Sequence, residues 1–371
     1  MTPVLAPAER LVLRSRCTTH YPGHKELSPT AEFTALARWC ESHDITADRY
    51  GDGVLINGFE AKVAALLGKP AAVFLPTGKM AQLIALKIHT ERARLPRFGM
   101  HPTSHLELHE ARAYAALLQL HGVLLGRPDQ PILADDLHAV TDPLSCLLLE
   151  LPMRECGGLL PSWEGLVELT SLARARGISL HMDGARLWEC GAYYAPHSYA
   201  EIAALFDSVY VSFYKGINGV SGALLLGDDE FIRSARTWQV RFGGQLPQQT
   251  AAVASAAMRF DTHLAGMPTY LARARSLAAA LSALKGVRVL PTVPQSNMMH
   301  VLFDCNADLL ARERDALAQR DGIWAMGTPL SANNGTAARI EWYVGENLMA
   351  VDDVSVVATL AGLLERVRAL G

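Results

Sequence analysis

Two periodicities alternate along this chain. Short apolar runs bounded by turn formers read as buried strands: Ala71–Leu75, Cys146–Leu151, Ile178–Met182, Val209–Phe213 and Gly222–Gly227. Between them lie stretches of helical spacing. Pro29–Ser42 is one. Gly58–Leu67 puts Phe59, Val63, Leu66 and Leu67 on one face, and Lys79–Arg92 aligns Met80, Leu83, Ile84 and Ile88. Trp163–Arg176, capped by Ser162, and Tyr199–Phe206 complete the set. Strand–helix alternation predicts an α/β fold with a mostly parallel sheet covered on both faces. After Gly243-Gly244 the chain turns alanine-rich and helical, over 251–259 and 271–284. A mixed segment follows: Val287–Leu290, Met298–Phe303, Asp308–Gln319, Ala338–Tyr343 and a closing helix Asp353–Leu370. The pattern predicts a large domain over 51–250, a smaller α+β domain over 251–371, and a separate N-terminal segment over 1–50.

Composition narrows the function classes. Half of the 371 residues are hydrophobic and 19% are charged, which suits a packed core. The net charge of −3 and the scattered basic residues argue against a nucleic-acid partner. Six cysteines lie far apart with no CxxC pair, unlike a zinc site or a disulfide framework. The first residues lack the apolar core of a signal peptide, and no run approaches the roughly 20 apolar residues a membrane span needs. These features lead us to expect a reduced, cytoplasmic protein with no membrane partner.

The candidate chemistry lies at strand ends. One apolar run ends on Asp183, before Gly184-Ala185-Arg186; another ends near Lys215, before Gly216. In open α/β sheets ligands bind at that edge. An acid for a ring nitrogen and a lysine for an imine are what pyridoxal 5′-phosphate requires. Lys215 would form the imine, and Asp183 would keep the pyridine nitrogen protonated so that the ring absorbs electron density. The plainer readings are a loop lysine and a helix N-cap. Thr77-Gly78-Lys79 follows a strand and opens a helix, where backbone N–H groups of Gly78 and Lys79 suit a phosphate; an ordinary strand-to-helix turn reads the same way. His101, His105 and His109 recur at i, i+4 and i+8. His105 could stack on the pyridine face. The three could instead hold a metal, although Pro102 disfavours one helix through them, or they could be surface histidines. No metal is expected.

Taken in order, these blocks resemble the threonine aldolase / aromatic amino acid beta-eliminating lyase family of fold-type I pyridoxal-phosphate enzymes. The resemblance rests on Leu13-Arg14-Ser15, Tyr50-Gly51-Asp52, Phe74–Gly78, His105 with Glu110, His181–Arg186, Lys215-Gly216 and Arg339. It implies that Ser15, Arg186 and Arg339 hold a substrate carboxylate and that His105 is the available base. It also implies a homodimer or homotetramer with active sites at subunit interfaces, the segment 1–50 joining the small domain and that interface. The chain departs from the family at Arg16, Lys79, Tyr214, Arg154 and Gln245, where Asp, Thr, Ser, a histidine-bearing segment and an arginine-bearing segment are usual. The expected reaction is cleavage of a β-hydroxy-α-amino acid to glycine and an aldehyde. The alternatives are β-elimination to ammonia and a keto acid, or cofactor binding without turnover.

Overall fold

The computed structural model describes residues 5–332 and 335–370. The chain forms two compact units. The larger comprises Leu27–Glu155 and Leu159–Gly266; the smaller comprises the chain up to Glu26, Cys156–Gly158 and the chain from Met267.

The larger unit is built on a seven-stranded sheet. Its strands are β1 (Ala71–Leu75), β2 (Arg97–Met100), β3 (His121–Leu124), β4 (Cys146–Glu150), β5 (Ser179–Gly184), β6 (Ser208–Ser212) and β7 (Ala223–Gly227). Their spatial order is β1-β7-β6-β5-β4-β2-β3. The five strands from β6 to β3 run parallel, and β7 is antiparallel to both its neighbours. This is the mostly parallel, mixed sheet expected from the sequence.

Every residue of β6 and β7 is buried, as a strand covered on both faces must be. Alternation divides the side chains between the faces. On one face Tyr210, Val73, Leu75 and Leu225 pack with Ala81, Ile84, Ala85 and Ile88 of the helix Gly78–Ala93 and with Phe231, Ile232 and Ala235 of the helix Asp229–Arg241. On the other, Phe213 meets Phe59 of the helix Val54–Leu66 and Phe260, with ring centroids 4.9 and 6.0 Å away. The long helix Thr250–Ser282 is anchored by Asp48. Its Oδ1 accepts from the Gln249 N–H (2.8 Å) and the Thr250 hydroxyl (2.6 Å), and the Thr250 hydroxyl accepts from the Asp48 N–H (2.9 Å).

The smaller unit carries a four-stranded antiparallel sheet, β8 (Val287–Leu290), β9 (Met298–Phe303), β10 (Leu330–Ala332) and β11 (Ala337–Tyr343), in the order β10-β11-β9-β8. The helices Ala307–Asp321 and Asp353–Leu370 pack on one another.

Several expected elements are corrected. The helix expected from Gly58 begins at Val54, with Gly58 inside it. The two alanine-rich helices are one, with Pro268 within it. The strands β2 and β3 had no counterpart in the expected pattern, because RFGM and HGVL are too short and too polar to make an apolar run.

Candidate active site

The C-terminal ends of β4, β5 and β6 bring three side chains into one row. Glu150 is opposite Asp183, and Asp183 is opposite Tyr210. Residues paired across parallel strands project to the same face, so the two acids and the phenol are neighbours. Asp183 is 2% exposed, and its Oδ1 accepts from the Ala185 N–H at 3.1 Å. Burial pushes its carboxyl up to about 6, with Glu110 adding to the rise and Ala185, His105 and Arg186 opposing it. Burial, then the Asp183 charge, pushes Glu150 up to about 8, although the Arg154 N–H donates to its Oε1 at 3.0 Å. Two acids in one row of a buried sheet edge cannot both ionise cheaply without a cation beside them.

Beyond the row, β6 continues through Phe213 and Tyr214 to Lys215. The Lys215 Nζ lies 5.2 Å from the centroid of the Tyr214 ring. The Tyr214 hydroxyl is 3.3 Å from that of Tyr210. Gly78, the first residue of its helix, sits directly on this phenol: a Cβ there would lie 1.8 Å from the Tyr210 oxygen. Glycine at 78 is thus dictated by Tyr210. The Thr77 hydroxyl accepts from the Met80 N–H at 3.3 Å, and the N–H groups of Gly78 and Lys79 have no hydrogen-bond partner among the described residues. The Lys79 side chain is exposed.

His105 opens a single helical turn, His105–Leu108, so no helix runs through His101 and His109. His101 is instead tied to Thr103 and to the carbonyls of Arg127 and Gln130. The His105 Nδ1 is 2.8 Å from Glu110 Oε1; with Nδ1–H donating there, the lone pair is on Nε2. The His109 Nε2 is 2.8 Å from Glu155 Oε1, and the His105 and His109 rings are 5.1 Å apart. Arg186, half-buried, follows Asp183 by three residues and acts on its charge.

Six of the residues singled out from the sequence, Gly78, Lys79, His105, Asp183, Arg186 and Lys215, therefore belong to the larger unit. Ser15 and Arg339 belong to the smaller one. The Ser15 hydroxyl donates to the Val12 carbonyl at 2.9 Å on an exposed helix, and Arg339 is half-buried on β11 opposite Leu302. Glu150 and Tyr210 were not singled out as site residues. Glu150 carried one signal, an acid inside the apolar run Cys146–Leu151; Tyr210 carried none, because its neighbour Gly78 is distant in sequence.

The sheet order, the covered faces and the acid at a strand end define a fold-type I architecture. It is shared with a structure of SPT with PLP (TM-score 0.65, 15% identity, 92% of this chain and 84% of that one), a likeness of fold alone. The beta-eliminating lyase family model matches residues 28–303, and the chain belongs to that family. A Listeria monocytogenes structure assigned as an L-allo-threonine aldolase is 36% identical over 95% of this chain and 98% of its own, with a TM-score of 0.88. The low specificity L-threonine aldolase of Escherichia coli (strain K12) is 34% identical over 211 residues; the match spans 54% of this chain and 61% of that protein. No helix among the described residues is long and apolar enough to cross a membrane.

Proposed function

We propose that the chain is a pyridoxal 5′-phosphate-dependent lyase that opens the Cα–Cβ bond of a threonine-type β-hydroxy-α-amino acid, giving glycine and an aldehyde. The carrying observation is the row Glu150–Asp183–Tyr210 at the strand ends, with Lys215 three residues past β6. The names of the E. coli and Listeria relatives support the same chemistry.

The residues fit the cofactor. Asp183 is a buried carboxyl held against a second acid, and a protonated pyridine nitrogen would be its missing cation. The unpartnered N–H groups opening the helix Gly78–Ala93 suit a phosphate dianion. Lys215 is the amine for the aldehyde. When bound, the cofactor supplies an electron sink for the pair left on Cα.

The chain's own groups supply the rest. Asp183 holds the proton on the ring nitrogen. Arg186 offers a guanidinium fork to the substrate carboxylate. Glu110 fixes the His105 tautomer; His105 Nε2 takes the proton from the β-hydroxyl as that carbon becomes a carbonyl, and returns it to Cα to complete glycine. Lys215 would hold the cofactor aldehyde before substrate binds and after glycine leaves.

The test is to incubate the purified protein and cofactor with L-threonine and L-allo-threonine and follow glycine and acetaldehyde. Lys215→Ala should abolish both products and the visible absorption band. Pyruvate from serine or cysteine, with no glycine from either threonine, would move the assignment to β-elimination.

A further inference from the structure

Beneath the site runs a chain of buried polar side chains that the proposed chemistry does not use. Gln82 and His89, on the helix Gly78–Ala93, are 1% and 2% exposed; His181 on β5 and Ser208 on β6 are fully buried. The His181 Nε2 is 2.8 Å from Gln82 Oε1, its Nδ1 is 2.8 Å from Ser208 Oγ, and Ser208 Oγ is 2.7 Å from His89 Nε2. An amide oxygen only accepts, so His181 Nε2–H donates to Gln82. Ser208 then donates to His181 Nδ1, and His89 Nε2–H donates to Ser208. Every link has one direction, and it requires a neutral His181, whose Nδ1 accepts. Burial disfavours the charged form of both rings, moving His89 down to about 4 and His181 to about 3.

The chain pins a helix to two strands at two points. Gln82 and His89 are seven residues apart, about 10 Å along the helix axis, so both the rotation and the slide of the helix are fixed. The Gln82–His181 bond is the end nearer the site. From Gln82, one turn (about 6 Å) leads back to Gly78. From His181, two strand residues (about 6.6 Å) lead forward to Asp183 on the same face. The helix start and the ring-nitrogen carboxylate thus extend by similar lengths from one buried hydrogen bond.

We infer that the Gln82–His181–Ser208–His89 chain is a caliper that sets the separation between the phosphate-binding helix start at Gly78 and Asp183, and so sets cofactor affinity without touching the cofactor. These four are positioning residues. The inference rests on the cofactor assignment above. It differs from a general packing role because its effect must pass through Asp183.

A double-mutant cycle on the apo-protein tests it. Pyridoxal 5′-phosphate is titrated, by its absorbance and by fluorescence quenching, into wild type, Gln82→Met, Asp183→Asn and the double variant. Thermal midpoints of the apo forms are measured alongside. Gln82→Met should weaken uptake about 10-fold in the wild-type background and less than about 2-fold beside Asp183→Asn. Ser208→Ala, a smaller change, should repeat the pattern if Gln82→Met does not fold. Equal losses in both backgrounds, or a lower thermal midpoint with unchanged uptake, overturns the caliper. A wild-type chain that takes up no cofactor overturns the functional assignment itself, a different and recognisable result.

Discussion

Replacing Asp183 by asparagine should stabilise the cofactor-free protein at alkaline pH, although it removes a residue central to the proposed chemistry. Asparagine keeps the shape and an oxygen to accept from the Ala185 N–H. It removes the cost of ionising a buried carboxyl. The folded-state value of about 6 lies above the 3.8 of a free aspartate. Near pH 3, well below 3.8, the carboxyl is protonated in both folded and unfolded chains and costs nothing. As pH rises through that window the unfolded chain loses its proton first, so stability falls until both forms are ionised above about pH 6. The full penalty of that rise, from 3.8 to about 6, is about 3 kcal/mol. Urea denaturation of the apo forms reads it: wild type and Asp183→Asn should coincide near pH 3 and differ by about 3 kcal/mol at pH 8, the variant being more stable. With saturating cofactor the order should reverse, because the variant loses its partner for the ring nitrogen. An apo Asp183→Asn protein no more stable than wild type at pH 8 would refute the claim that this carboxyl is strained until a cation arrives.

Other expectations follow from single contacts. Gly78→Ala would drive a Cβ to within 1.8 Å of the Tyr210 oxygen; displacing the first helical turn should cost about 1–3 kcal/mol in urea denaturation and weaken cofactor uptake. Asp48→Ala removes the acceptor for Gln249 and Thr250 that opens the long helix, and the same denaturation should show a loss of about 1–2 kcal/mol. Glu110→Ala releases the His105 tautomer and should lower kcat about 10- to 100-fold, with a shifted pH profile and unchanged cofactor uptake.

The sequence revealed the parts of the site that depend on local order. Asp183 and Lys215 end or follow apolar strands, and Thr77-Gly78 marks where a strand gives way to a helix; these are properties of neighbours along the chain. The central strands were legible for the same reason. The contacts that tie the parts together were not. Tyr210 reads as one more β-forming residue, and only the sheet order places its hydroxyl beneath Gly78. His89 and Ser208 lie 119 residues apart, and nothing in either segment signals the other. The edge strand β3 and its neighbour β2 escaped notice because their pairing, rather than their hydrophobicity, defines them. The histidine spacing at 101, 105 and 109 suggested a shared face, but the helical turn starts only at His105, after Pro102.

The account stands on a cofactor tethered through Lys215 at this sheet edge. Mass spectrometry of the borohydride-treated holoprotein, digested and sequenced, tests that most directly. A pyridoxyl-phosphate adduct confined to Lys215, and absent from Lys215→Ala, is the predicted result. An adduct on another lysine such as Lys79, or none at all, would contradict it.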